Sequence, residues 1–226
     1  MRPAHPHRHP VPVRPYETEK PPLPLVQEHT DHMALADTQR TMREVRDGVL
    51  KLNLPQKTYN AIVADPPWQY HNKKTGGSMI SGSVAKYPTM DLADICCLNI
   101  PNICQKDCVL FLWGTTPLAD YSFKVMEAWG FKYKTKIYWR KIMSLGMGFW
   151  FRGQIEECLI GVRGNVKAFR CQKPNFIQSK VRNHSQKPEE FFELVEPVLD
   201  KYSLNSRIEL FARERREGWD SWGDEV

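Results

Sequence analysis

Two stretches, Ala61-Ile62-Val63-Ala64 and Cys108-Val109-Leu110-Phe111-Leu112-Trp113, are apolar without alternation. Strands buried on both faces have this pattern. Further strands are expected at Lys136-Ile137-Tyr138-Trp139, at Cys158-Leu159-Ile160-Gly161-Val162 and at Arg207-Ile208-Glu209-Leu210-Phe211-Ala212. Between them the period changes. Leu118, Tyr121, Ser122, Val125, Met126 and Trp129 share one face at helical spacing, with Gly130 as the stop. Phe191, Leu194, Val195, Val198, Leu199 and Tyr202 repeat the pattern after Pro188, which with Glu189 and Glu190 suits a first turn. Pro197 within that stripe is expected to kink the helix or end it early. A looser stripe, Leu35, Met42, Val45 and Val49, marks a helix candidate over residues 33–50.

Strands alternating with helices predict an α/β fold, a mostly parallel sheet with helices on both faces. Ligands in such sheets sit beyond the carboxyl ends of the strands, so the residues that follow each strand are where chemistry is sought. Residues 1–26 hold eight of the seventeen prolines and cannot run a helix or pair as a central strand. They read as a flexible arm, leaving 27–226 as one domain of ordinary size.

Composition adds limits. Hydrophobic residues are 41% of the 226, enough for a sizeable core, and no run of about 18 apolar residues exists to span a membrane. The N-terminus begins with Pro, His and Arg rather than a signal-peptide core. The six cysteines show neither disulfide-scaffold density nor a zinc spacing, so a reducing compartment and no metal are expected. A net charge of +6 fits a polyanionic partner without requiring one. The dinucleotide fingerprint is lacking: Gly146-Met147-Gly148 has no third glycine, and there is no P-loop.

The first buried strand ends in Asp65-Pro66-Pro67-Trp68-Gln69-Tyr70. A carboxylate sits where the apolar run stops, and two prolines then remove two backbone donors and hold the chain extended. The groups left are acceptors, the Asp65 carboxylate and the Pro66 carbonyl, followed by an aromatic plane. Such a site suits a planar ligand with an amine bearing two N–H bonds, as adenine has. Accepting both N–H bonds favours a pyramidal nitrogen and turns its lone pair toward an electrophile. Stacking on Trp68 would supply ~1–3 kcal/mol against the cost of extruding a base. A rigid turn closing a strand, with Trp68 in the core, is the alternative.

Asp65-Pro66-Pro67-Trp68 resembles the catalytic motif of S-adenosylmethionine-dependent adenine N(6)-methyltransferases. The chain is most similar to the family typified by the catalytic subunit of the eukaryotic messenger-RNA adenine methyltransferase, in its compact prokaryotic or phage form. The resemblance covers about residues 57–226, through ADPPW at 64–68, KYPTM at 86–90, FLWG at 111–114, FWFRGQIEECLIGVRG at 149–164, HSQKPEEF at 184–191, ELFAR at 209–213 and GWDSWGDEV at 218–226. It implies a Rossmann-like fold with permuted motif order, S-adenosylmethionine as cofactor and nucleic acid as partner, DNA favoured over RNA. Location would be cytoplasmic in a prokaryote or phage, nuclear in a eukaryote.

The resemblance also implies roles. Asp65, Pro66, Pro67 and Trp68 match the catalytic positions, with Asp65 and Pro66 accepting the target amine and Asp65 also counted among the cofactor-binding positions. Lys187 matches the lysine that binds the cofactor's carboxylate, and Arg213 an arginine near its adenosine. Arg216, Asp224 and Glu225 match cofactor-contacting polar positions, and Asp47 loosely matches an upstream acid near the cofactor. Asp224-Glu225 stands where the family commonly has Asn-Gln or Asn-Glu, and Arg216 where the eukaryotic subunit has Asn, so that facing solvent or nucleic acid is the alternative for Arg216. Tyr87 matches a loop tyrosine near substrate and cofactor, and Glu156 a glutamate on the target-base side. A catalytically inactive scaffold subunit on the same fold is the competing expectation. Such subunits usually lose the acid or the aromatic, and both are kept here.

Two loops complete the reading. Residues 71–86 are polar and glycine-rich, as a closing lid would be, and bring Lys73 and Lys74 to the substrate. Residues 142–154 combine glycines with Phe149, Trp150, Phe151 and Arg152. Trp150 and Arg152 suit single-stranded nucleic acid, a homo- or hetero-dimer contact, or burial in the chain's own core. Lys73, Lys74, Arg163, Lys167, Arg170, Lys173, Lys180 and Arg182 form either a phosphate surface or ordinary scattered charge.

Overall fold

The computed structural model describes residues 54–69, 89–142, 150–182, 186–223 and 226. Seven strands form one sheet: β1 (Tyr59–Ala64), β2 (Cys104–Thr115), β3 (Lys132–Ile142), β4 (Ile155–Arg163), β5 (Phe176–Lys180), β6 (Arg207–Leu210) and β7 (Asp220–Trp222). Their order is β5-β3-β4-β2-β1-β6-β7. Six strands run the same way, and β4 lies antiparallel between β2 and β3. The mostly parallel expectation thus holds with one reversal. β4 is the next described element after β3 and pairs with it as an antiparallel neighbour.

The sheet separates two cores. Ile62, Ala64, Leu110 and Leu112 face α1 (Leu92–Cys97) and α2 (Ala119–Ala128). Val63, Val109, Phe111 and Trp113 face the opposite layer, built on α3 (Glu189–Lys201). Consecutive residues of β1 and β2 are buried on both sides, which is why their sequences lack alternation. β5 alternates instead: Ile177 and Ser179 are buried while Phe176, Gln178 and Lys180 are exposed.

α2 ends as its sequence requires. Gly130 has φ +78, its N–H donates to the Glu127 carbonyl at 2.9 Å, and the Phe131 N–H donates to the Met126 carbonyl at 3.0 Å. This Schellman arrangement satisfies two carbonyls of the last turn. Trp129 beside it is buried and donates its indole N–H to the Ile95 carbonyl at 2.9 Å, tying α2 to α1.

α3 excludes one of the two outcomes expected at Pro197, an early end. It neither ends nor shortens at Pro197 but runs on to Lys201. Pro197 and Glu193, whose carbonyl loses its N–H partner, are both exposed, so water can satisfy the gap. α1, β5 and β7 lay below the periodicity signal because they have six, five and three residues. The arm at 1–26 and the helix candidate at 33–50 lie outside the described residues.

Two glycines separate backbone strain from crowding. Gly130 has open space around it, whereas a Cβ on Gly164 (φ +70) would stand 2.2 Å from the Lys106 carbonyl oxygen. Gly130→Ala is expected to cost about 1 kcal/mol and Gly164→Ala about 3 kcal/mol or more. Equal losses in urea unfolding would contradict this account.

Candidate active site

The end of β1 builds the site. The Asp65 N–H donates to the Leu210 carbonyl of β6 at 3.4 Å, a last rung of the ladder. Asp65 continues the alternation of Ala61 and Val63, toward the α3 layer. The two prolines then carry the chain over the sheet end. Trp68 emerges on the other side, 5% exposed in the α1/α2 core, its indole N–H donating to the Trp113 carbonyl at 3.1 Å. The expected open stacking plane at Trp68 is therefore not what the fold provides. A buried indole needs a partner for its N–H, and the end of β2 supplies it, so Trp68 pins the elbow from below.

The elbow is fixed by backbone bonds as well. The Trp68 N–H donates to the Pro66 carbonyl and the Met90 N–H to the Pro67 carbonyl, both at 2.9 Å. The Pro66 carbonyl, expected to stand free, thus has one of its two lone pairs engaged and the other left.

Above the elbow sits a buried charge cluster. Lys187 Nζ lies 2.9 Å from Asp65 Oδ2 and 3.0 Å from Glu156 Oε2, and 5.0 Å from the Trp113 ring centroid. Its side chain is 8% exposed and those of Asp65 and Glu156 are 18% and 17%. Lys141 pairs with the other Glu156 oxygen. Glu156 reaches the cluster only because β4 runs backwards, which puts its first residues at the carboxyl ends of β1 and β2. Burial pushes the Asp65 carboxyl up, with Glu156 adding to it and Lys187 opposing. Glu156 is held below its ordinary value: Lys187 and Lys141 outweigh its own burial cost. Burial alone would lower Lys187, but the two carboxylates raise it, so it stays an ammonium.

A second layer of charge lies beside the first. Glu209 of β6 pairs in register with Val63 and shares its face of the sheet with Asp65. Burial lifts its carboxyl to about 7, Asp65 and Glu214 adding to the rise and Arg216 and Lys187 opposing it. Arg216 grips Glu189 with both terminal nitrogens at 2.8 Å and stacks 3.6 Å from the Phe192 centroid. Arg182 joins Glu189 and Glu214, at 2.6 and 2.8 Å. Arg216 is thus committed to an ion pair rather than facing solvent. Between Glu209 and this network, Phe211 adopts φ +59, a conformation costly for an aromatic residue, and its ring packs edge-on to Trp222 at 5.3 Å.

Several buried polar atoms here have no partner among the described residues: Trp113 Nε1 and Thr115 Oγ1 on β2, and Arg216 Nε. Thr115 pairs in register with Glu156, so its hydroxyl is beside the cluster. Neither Thr115 nor Glu209 stood out in the sequence; both became visible only through register. A buried donor left without a protein partner has to be satisfied by water or by a bound group.

The structure brings Asp65, Pro66, Glu156 and Lys187 together, with Arg216 nearby. Trp150 and Arg152 are exposed on the connection into β4. Asp47, Lys73, Lys74, Tyr87, Asp224 and Glu225, and the whole of the expected lid at 71–86, lie outside the described residues. Among the described residues no three His, Cys, Asp or Glu side chains group as a metal site would need, and no helix is long and apolar enough to cross a membrane.

Comparison with known proteins gives this geometry a context. A family model described as MT-A70 matches residues 59–225. Type II methyltransferase M.MunI of Mycoplasma sp is 34% identical over 190 residues, which cover 76% of this chain and 80% of that protein. The N(6)-adenosine-methyltransferase MT-A70-like protein of Arabidopsis thaliana is 30% identical over 75% of this chain. The human N(6)-adenosine-methyltransferase catalytic subunit METTL3 is 29% identical over 74%. The match spans only 24% and 28% of those two longer proteins.

Glu209 yields a stability prediction. Above about pH 7 it is ionised in the folded chain and bears the cost of burial, whereas unfolded it titrates near 4.5. Its contribution is most favourable below 4.5 and is lost as pH rises through about 7. Glu209→Gln should therefore stabilise the protein at pH 8 by roughly 1–3 kcal/mol, a gain that shrinks toward pH 5. Thermal melts that show the same gain at both pH values would exclude Glu209 as a group titrating near neutrality.

Proposed function

This chain belongs to the MT-A70 family, and from that premise we propose that it transfers a methyl group from S-adenosylmethionine to the N(6) amine of adenine in nucleic acid, DNA in preference to RNA. The family is one of adenine N(6)-methyltransferases, and the chain is an enzyme. The observation that carries the reading is the Asp65–Lys187–Glu156 cluster at the end of β1, buried yet holding unpartnered donors. The preference for DNA rests on size: this chain matches 80% of the compact M.MunI but about a quarter of the longer adenosine methyltransferases.

The residues present fit the cofactor. It carries a carboxylate, an ammonium and a sulfonium, and the cluster offers one buried ammonium among three carboxylates, with orphaned N–H and O–H groups beside them. When bound, S-adenosylmethionine supplies an electrophilic methyl group. Lys187 has three N–H donors, of which Asp65 and Glu156 take two, so the third is available to the cofactor's carboxylate. Arg213, Arg216, Asp224, Glu225 and Asp47 are assigned to its remaining polar groups.

Asp65 and the free lone pair of the Pro66 carbonyl accept the two N–H bonds of the target amine and aim its nitrogen. Because the elbow is rigid before substrate arrives, this alignment costs no reorganisation. Burial keeps the Asp65 carboxyl more basic than an exposed one, which suits it to receive the proton the methylated nitrogen sheds. Trp68 fixes the elbow, while Tyr87, Glu156, Trp150, Arg152, Lys73 and Lys74 are assigned to the substrate side. Residues 1–26 are assigned to an arm outside the catalytic domain 27–226.

The test is transfer of a tritiated methyl group to matched single-stranded DNA, double-stranded DNA and RNA, with and without adenine. Label in adenine-containing oligomers alone supports the reading, and label in none of them overturns it. Asp65→Ala should cut transfer by about 100-fold or more with cofactor binding retained. Lys187→Met should instead raise the cofactor's dissociation constant about tenfold or more, read by calorimetry. Near-normal turnover by the first variant, or unchanged affinity in the second, would remove that residue from its assigned role.

A further inference from the structure

Large apolar side chains are exposed on one side of the molecule only, among the described residues. Phe123, Tyr133, Ile155, Phe176 and Val181 are 36–46% exposed, and Trp150 and Phe151 are 93% and 90% exposed. All lie on β3, β4, β5, the segments flanking them, or the surface of α2 that meets β3. The reason is topological. α1 and α2 cover the middle of their face of the sheet, and β5 with the outer half of β3 extends past them.

The register defines that uncovered surface. Tyr138 pairs with Phe176, Arg140 with Gln178, and Ile142 with Lys180 across β3 and β5. Arg140 Nη1 donates to Gln178 Oε1 at 3.4 Å, a neutral partner that leaves its charge uncompensated. At the lower end Phe123 and Tyr133 meet edge to face at 5.2 Å. At the upper end the surface reaches Ile155, whose neighbour Glu156 points to the other face of the sheet, where the candidate active site lies. A row of aromatic rings interleaved with cations thus runs up the sheet and stops at the reactive end.

The charge distribution is equally one-sided. Residues 130–182 contain twelve Lys and Arg against two Glu, a net of +10 in a chain whose total is +6. The rest of the chain is therefore net negative. Both glutamates are already neutralised, Glu157 by Lys136 at 2.5 Å and Glu156 by Lys141 and Lys187.

We propose that this outer face of β3 and β5, from Phe123 and Tyr133 through Tyr138, Arg140, Phe176 and Lys180, holds the single-stranded nucleic acid that flanks the reactive base; the proposal rests on the adenine-methyltransferase reading. Unpaired bases stack on exposed rings without regard to sequence, and phosphates are matched by the interleaved cations. A second copy of this chain fits less well, because a two-fold contact would set one +10 segment against another. The sheet edge delivers the strand to Ile155 at the reactive end, where the reactive base has to turn over the end of the sheet to reach the Asp65 cluster on the opposite face.

The experiment compares wild type with Phe176→Ala and with the Arg140→Gln/Lys180→Gln double variant. Fluorescence anisotropy is read on dye-labelled single-stranded DNA, single-stranded RNA and duplex DNA across a salt series. Wild type should prefer single strands. Phe176→Ala should weaken them about tenfold, and the double variant should flatten the salt slope by about 0.7 per charge removed. The cofactor's dissociation constant and the melting temperature should stay at wild-type values in both. Wild-type affinity and slope in both variants would overturn the proposal while leaving the function standing, provided wild type methylates the oligomers. Wild type that neither binds nor methylates any oligomer would overturn both. A concentration-dependent dimer in sedimentation, lost in Phe176→Ala with nucleic-acid binding intact, would assign the face to a second copy instead.

Discussion

One ammonium group, Lys187 Nζ, stands between two carboxylates that come from different parts of the sheet, Asp65 after β1 and Glu156 at the start of β4. Three largely buried charges in contact are unfavourable unless each is matched, and removal of one partner from such a set typically costs 3–5 kcal/mol. Here the mismatch is an excess of negative charge, and Lys141 reduces it from the far side of Glu156. The cluster is therefore satisfied only while β1, β4 and the segment before α3 keep their positions. The same interaction that orders the sheet end also fixes where a reacting group would meet a carboxylate.

The elbow at 65–68 distributes its residues across the sheet. Its first residue faces the α3 layer with the charges, and its last is a tryptophan sunk in the α1/α2 layer. The prolines between remove backbone donors that could not be paired at a sheet end, and their carbonyls receive N–H groups from Trp68 and Met90. Stiffness here comes from both layers at once, so Asp65 is held even without a ligand. The left-handed Phe211 at the end of the adjacent β6 shows that this edge of the fold tolerates strain where the charge cluster meets it.

Much of this was legible in the sequence. The unbroken apolar runs of β1 and β2 and the helical stripe of α2 with its Gly130 stop gave the architecture, because burial on both faces and helical period each leave a local trace. The DPPW elbow was legible as chemistry, and Lys187 only through the family resemblance. Three kinds of feature were not. Elements of six residues or fewer, α1, β5 and β7, carry too few positions to show a period. The direction of β4 depends on strand pairing, which is non-local, and with it the place of Glu156 and Thr115. The role of Trp68 turned on which side of the sheet the prolines deliver it to, and composition is silent on that. Pro197 does not end the helix, because the Glu193 carbonyl it leaves without an N–H is exposed to water.

The reversal of β4 has a further consequence. Since β3 and β4 are antiparallel neighbours, the stretch that joins them leaves and re-enters the sheet at adjacent points about 5 Å apart. Both feet, Ile142 and Ile155, are paired into the sheet at the reactive end. A segment tethered in this way is interchangeable: its length and composition are free to diverge without moving a single rung of the ladder. The fold thereby separates an invariant engine from a replaceable mouthpiece, and diversification of what enters the site needs no redesign of the sheet beneath it.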